Sequence, residues 1–263
     1  MYNDVKLVLL DLDGTLCDEN SQIPSSFFEL VPKLRKKGVA VGIASGRNGE
    51  SIKHACGDLF NQMACVTTNG TVNYIDGEII STCYLDKDVV KKLLDKSKEV
   101  DGCSIQLFYP EVILMDKGNP LTKFMNEAGF AAKECDNLYD HMDDVVLIST
   151  IAMDMKTDFA EEFSNLGGPY KLAQSGYGCI DYMPDYCSKA YGARMLANHL
   201  KITMDQVMAI GDAGNDIELL QAVGHPVAMK NAMKECKELA RYVTEKTNIE
   251  HGCIDFLEKF FKV

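Results

Sequence analysis

Four short apolar runs rich in β-branched residues stand out along the chain: Val5–Leu10, Val39–Ala44, Ala64–Val66 and Val207–Ile210. Lys6 aside, they do not alternate apolar with polar, as a strand with one wet face does. They predict strands buried on both sides, the condition of a parallel sheet covered by helices. Between and after them, apolar residues recur at three- and four-residue intervals over Ser25–Lys37, Lys189–Leu200, Asp216–Ala222 and Ala232–Ala240, which predicts helices. Pro32 falls inside the first, so a kink or a later start is expected there.

The middle of the chain has a different texture. A helix near Asp86–Val100 is followed by shorter, more alternating runs at Ser104–Tyr109 and Val112–Met115. A helix near Pro120–Ala128, a strand at Val145–Ile151, a helix near Thr157–Asn165 and strands at Tyr170–Ala173 and Cys179–Tyr182 come next. Interleaved helices and strands of this kind predict a small α+β unit inserted into the parallel α/β domain. No Pro- or Gly-rich linker marks its edges, so the change of pattern places them, near Cys83 and Met183. The division expected is a core of residues 1–82 and 184–263 with an insertion of residues 83–183.

Composition narrows the function classes. A length of 263 residues suits one large or two modest domains. With 27 basic against 39 acidic residues the net charge is −12, which repels a phosphate backbone and argues against nucleic acid as a partner. The 10 cysteines are scattered without a CxxC pair, as expected of free thiols in a reducing compartment, so a cytoplasmic location is expected. Val5–Leu10 is too short and too interrupted for a signal core, and no stretch approaches the roughly 18 apolar residues of a membrane span, so no membrane association is expected.

The predicted core strands all end in small or polar residues: Asp11-Leu12-Asp13-Gly14-Thr15, Ser45-Gly46-Arg47, Thr68-Asn69-Gly70, and Gly211-Asp212 followed by Asn215-Asp216. Ligands of open parallel sheets bind beyond the carboxyl ends of the strands, so these four ends predict one shared crevice. Strand periodicity would point the Asp11 and Asp13 carboxylates to the same side. Such crowding calls for a cation, or for one carboxyl held protonated. Asp212 supplies a third oxygen donor, a set that suits Mg²⁺ with waters and a substrate phosphate, and Lys189 adds a further positive charge. A divalent ion and a lysine would let an acidic protein accept an anionic substrate.

Other readings of these residues are weaker. Counted from Asp11, a calcium-binding loop requires glycine sixth and glutamate twelfth, where Leu16 and Gln22 stand. The five histidines show no metal-ligand spacing, and no usable GxxxxGK[ST], GxGxxG or GxSxG occurs.

Asp11-Leu12-Asp13-Gly14-Thr15, Ser45-Gly46-Arg47, Ser188-Lys189 and Gly211-Asp212-Ala213-Gly214-Asn215-Asp216 resemble, in kind and order, the four motifs of the haloacid dehalogenase superfamily. The long insertion before Lys189, with Ala228-Met229, Asn231-Ala232 and the segment from Thr244 to Gly252, resembles the Cof-type phosphatases, which carry a large α/β cap. The resemblance implies a Rossmann-like parallel-sheet core with an inserted cap, and a Mg²⁺-dependent phosphatase acting on a small phosphorylated metabolite, a sugar phosphate first among the candidates. It also implies that Asp11 is the nucleophile, forming an aspartyl phosphate, and that Asp13 is the acid and base. Mg²⁺ would be held by the Asp11 carboxylate, the Asp13 carbonyl and Asp212, with Asp216 one layer out. Ser45, Gly46, Lys189 and Asn215 would meet the phosphate, and Arg47 the substrate. A phosphomutase is the near alternative, since the same intermediate could pass its phosphoryl group to a sugar hydroxyl. A sugar-phosphate-binding regulator without turnover is the alternative of a different class.

Overall fold

Leu7–Leu10 has all four side chains wholly buried, as a strand covered on both faces requires. In the computed structural model, which describes residues 4–152, 154, 157, 159–164, 166–176 and 178–263, it lies inside a five-stranded parallel sheet. The order is Tyr242–Val243, His225–Ala228, Val207–Gly211, Leu7–Leu10, Ala40–Ile43. The register brings the strand ends level: Leu10 lies opposite both Ile210 and Ile43. Asp11, Gly211-Asp212 and Ala44-Ser45 therefore leave the sheet along one edge.

Ala64–Thr67 lies beside Ala40–Ile43 but pairs with it through a single parallel bridge, Ala44 to Val66, next to which the Ser45 N–H donates to the Val66 carbonyl at 2.9 Å. It otherwise heads an antiparallel three-stranded sheet with Val72–Ile75 and Glu78–Thr82. The expectation of four equivalent core strands is corrected accordingly. His225–Ala228 and Tyr242–Val243 extend the core beyond the predicted runs. One carries a histidine and a proline and the other is two residues long, so neither leaves a readable apolar run.

The second layer of architecture is a six-stranded sheet built from residues 103–184. Its order is Tyr170–Gly176, Cys179–Pro184, Leu147–Ala152, Cys103–Phe108, Ile113–Asp116, Ala132–Cys135, antiparallel but for the last pair. The helix Lys87–Ser97 packs on it through Val89, Val90, Leu93 and Leu94. The helix expected over Thr157–Asn165 is Ala160–Phe163; Asp158 and Asn165 lie outside the described residues. Ala132–Cys135, whose middle is Lys-Glu, was not apparent from apolar pattern.

Both chain crossings between the two sheets lie together, because Cys83 on the way out and Cys187 on the way back are buried in one small apolar cluster with Met183. On the opposite flank, the helix Gly49–Cys56 seats the inserted unit: Asn48 Nδ2 donates to the Phe130 carbonyl at 3.0 Å and Ser51 Oγ to that of Ala128 at 3.1 Å.

Two further helices differ from expectation. Ser25–Lys36 runs on through Pro32 rather than starting after it. Pro32 and Phe28, whose carbonyl would have received the missing N–H, are both exposed, so that carbonyl can turn to water. Gly252–Phe261, unread from the sequence, buries Cys253, Ile254, Leu257 and Phe261 along one face.

Candidate active site

Asp11 is the first residue past its strand, its N–H donating to the Ile210 carbonyl at 2.9 Å, and it is buried. Lys189 approaches from the first turn of the helix Lys189–Leu200. Ser188 caps that helix by accepting from the Tyr191 N–H at 3.2 Å. The lysine Nζ is inaccessible to solvent and donates to Asp11 Oδ1 at 2.6 Å and to Asp216 Oδ1 at 2.7 Å. Asp11 Oδ2 accepts no hydrogen bond among the described residues.

Asp216 is fully engaged. Its Oδ2 accepts the N–H groups of Asp212 at 2.9 Å and Ala213 at 3.2 Å while Oδ1 holds Lys189, so it braces the loop that carries Asp212. Asp212 Oδ1 in turn accepts from Thr15 Oγ1 at 2.7 Å. Gly14 makes room for that pair: its φ is +87°, and a Cβ there would sit 2.3 Å from Asp212 Oδ2.

Carboxylate oxygens of Asp11, Asp212 and Asp216 lie within 4.8 Å of one another. Burial pushes the Asp11 carboxyl well up from its ordinary range, Lys189 opposes this, and the Asp216 and Asp212 charges push it further up. Burial likewise raises Asp212, to about 6, against the Thr15 hydrogen bond and with help from Asp216. Burial would lower the Lys189 ammonium, but Asp11 and Asp216 outweigh it and hold it above its usual value. Three acids against one lysine leave an excess of negative charge that a small hard cation would relieve, and all-oxygen donors are the set Mg²⁺ prefers. The residues present therefore fit a Mg²⁺ ion.

Asp13 departs from expectation. The strand ends at Leu10, and the chain enters a wide turn, Leu12–Leu16, in which Asp13 (φ −81°, ψ 114°) and Gly14 are not helical. Strand alternation no longer governs, and the Asp13 carboxylate faces Arg47, taking Nε at 2.9 Å and Nη2 at 2.5 Å. The third carboxylate of the cluster is that of Asp216, not Asp13. Arg47, expected at the substrate, is committed to this bidentate pair, which keeps its guanidinium above its ordinary value in spite of burial.

Ser45 is buried at the end of its strand, its Oγ accepting the Arg47 N–H at 3.1 Å. Gly46 lies against the side chain of Asn69, whose Nδ2 a Cβ would approach to 3.3 Å. Asn69 Oδ1 accepts from Asn215 Nδ2 at 3.2 Å, and Asn69 Nδ2 donates to Asp181 Oδ2, on the six-stranded sheet, at 2.9 Å. Asn69, Lys189 and Asn215 line a cleft of about 450 Å³ whose other wall includes Lys171, Leu172 and Gln174 from the edge strand of that sheet. Lys171 closes one side of it with a 2.6 Å ion pair to Glu218.

The sequence placed Thr15 and Asn69 only among the strand ends facing the crevice, with no partner for either, and did not single out Asp181. Asn69 carried a signal, an Asn-Gly pair directly after a predicted strand. Asp181 carried none, since its partner is 112 residues away.

A family model for haloacid dehalogenase-like hydrolases matches residues 8–257. The chain belongs to that family. As a haloacid dehalogenase-like hydrolase it is similar, at 27% identity over 97% of its length, to the 5-amino-6-(5-phospho-D-ribitylamino)uracil phosphatase YwtE of Bacillus subtilis, of which it covers 98%. It is similar at 27% identity over 88% of its length to an HMP-PP phosphatase of Enterobacter sp., covering 86% of that protein. A solved haloacid dehalogenase-like hydrolase from Bacteroides thetaiotaomicron shares the fold, with a TM-score of 0.84 at 24% identity over 98% of this chain and 100% of that one.

Proposed function

We propose that this hydrolase, a phosphatase, cleaves small phosphomonoesters, sugar phosphates first among them, through a phosphoryl group carried on Asp11. The observation that carries the reading is the asymmetry of that carboxylate: Oδ1 is pinned by Lys189 at 2.6 Å while Oδ2 accepts no hydrogen bond among the described residues. A fixed oxygen orients the group, and a free one is the nucleophile. Attack of Oδ2 on phosphorus expels the alcohol, and water then cleaves the aspartyl phosphate.

Lys189 sits where negative charge builds on the phosphoryl oxygens, and Ser45, the Gly46 backbone and Asn215 are the further donors. Asp13 protonates the leaving oxygen and then takes a proton from water; to do so it turns away from Arg47, which its half-exposed side chain permits. Asp11 and Asp212 with the Asp13 carbonyl would hold Mg²⁺, which when bound neutralises the acids and the phosphate they must receive. Residues 83–183 act as a cap that closes over the leaving group and excludes water. Polar groups of Lys171, Gln174 and Glu218 on the cleft suit a hydroxyl-rich leaving group.

A panel of sugar and polyol phosphates assayed for phosphate release with Mg²⁺ tests this directly. Native protein is expected to turn over with one ¹⁸O from labelled water in each phosphate released. Asp11→Asn keeps the shape but lacks the nucleophile, so it should fold and show no turnover. Turnover persisting in Asp11→Asn removes Asp11 from the reaction, and phosphoryl transfer to a sugar hydroxyl instead of water identifies a mutase.

A further inference from the structure

Three buried or half-buried polar side chains form a relay from the cap sheet to the core. Asp181 lies on Cys179–Pro184, opposite Ala173 on one side and Ser149 on the other, and is 4% exposed. Asn69 is 2% exposed. It is held in a turn in which Thr68, Asn69 and Gly70 all have positive φ, tied down by the Asn69 N–H to the Ser45 carbonyl at 3.0 Å and the Thr68 N–H to that of Arg47 at 2.8 Å. A β-branched residue at positive φ is costly and persists where its surroundings dictate it. These two bonds hold the backbone that carries Asn69.

The direction of hydrogen bonding along the relay is set at its cap end. A carboxylate only accepts, so Asn69 must present its NH₂ to Asp181 Oδ2 and its carbonyl oxygen to the other side. That oxygen accepts from Asn215 Nδ2, which obliges Asn215 to turn its own Oδ1 away from Asn69. Asn215 Oδ1 accepts no hydrogen bond among the described residues, and Asn215 lines the cleft beside Lys189. The relay crosses between the two sheets only when the cap is seated.

We propose that Asp181 is a positioning residue for phosphoryl transfer: from the cap it fixes, through Asn69, the Asn215 amide so that one Nδ2 hydrogen is held by Asn69 and the other is left to donate to a phosphoryl oxygen. This rests on the reading of Asp11 as nucleophile and Asn215 as a contact of the phosphate. Seating of the cap thereby becomes a condition for the correct order of groups among phosphate-facing residues that themselves lie on the core.

Asp181→Asn tests it, because an amide at 181 can offer N–H to Asn69 and reverse the relay with little change of volume. With p-nitrophenyl phosphate and Mg²⁺ as the probe, kcat is expected to fall about tenfold or more while KM moves less than about threefold, the signature of an interaction made in the transition state. In an Asn215→Ala background the same change is expected to cost less than about twofold, since its effect has no remaining route. An unchanged kcat in Asp181→Asn, equal losses in both backgrounds, or an Asn215→Ala variant as active as native each overturns the proposal. If Asp181→Asn does not fold, Asn69→Gly, compatible with φ +53°, cuts the relay at its centre and must give the same pattern. Native protein without turnover overturns the underlying reading; native turnover with an indifferent Asp181 overturns this inference alone.

Discussion

Lys189 is the residue on which the chemistry and the stability of the site converge. It is a solvent-inaccessible ammonium between two carboxylates, and removal of one partner from such a group leaves the others charged and unpaired in a poor dielectric. Lys189→Met is therefore expected to lose about 3–5 kcal/mol of stability in denaturant unfolding. With the charge proposed to meet the phosphoryl oxygens gone, turnover should fall by about a hundredfold or more. A variant with native stability, or with native turnover, contradicts the buried pairing or the catalytic role respectively. In the sequence this lysine was visible only through its place after the insertion, as Asp11 and Asp212 were visible through their places at strand ends. The direction of the Asp13 carboxylate was not legible: a two-residue period holds only while the chain stays extended, and the strand ends at Leu10, before either acid. Asp181 was illegible because its partner, Asn69, comes from a turn 112 residues away.

Among the elements, the turn after Ala64–Thr67 has the least freedom to vary. Gly70 has φ +96°, and a Cβ there would stand 2.0 Å from the Ser188 carbonyl oxygen, the residue that caps the Lys189 helix. Gly70→Ala combines a left-handed backbone with a clash against main chain and is expected to cost about 2–4 kcal/mol, read as a lower unfolding midpoint. A loss below about 0.5 kcal/mol would mean the turn and the helix do not meet as described. The wholly buried runs Leu7–Leu10 and Val207–Gly211 could be read from the sequence because burial on both faces leaves uninterrupted apolar residues. Edge elements could not: Tyr242–Val243 is too short for any period, and Glu78–Thr82 has no buried side chain to mark it. The antiparallel partnership of Ala64–Thr67 was hidden because the pairing partner, not the strand's own residues, decides direction.

For the molecule as a whole, the acid cluster is a stability question as well as a catalytic one. Buried carboxylates whose charge is disfavoured strain the metal-free fold at neutral pH, and a ligand that binds only the folded state stabilises it by mass action. Mg²⁺ at a hundred times its dissociation constant should add about 2.7 kcal/mol, a rise in Tm of roughly 5–10 °C that a chelator reverses. Asp212→Asn should lose most of that rise while remaining folded. A midpoint indifferent to Mg²⁺ in native protein would deny the cluster its ion.

The meeting of Cys83 with Cys187 has a last consequence. The polypeptide departs from the core and rejoins it at nearly one point, so to the parallel sheet a hundred residues of extra architecture count as a single surface loop. Such a graft can be enlarged, trimmed or rebuilt with no strand of the sheet having to shift, and so long as an acceptor for Asn69 stays at position 181 the apparatus around Asp11 could be aimed at a new alcohol.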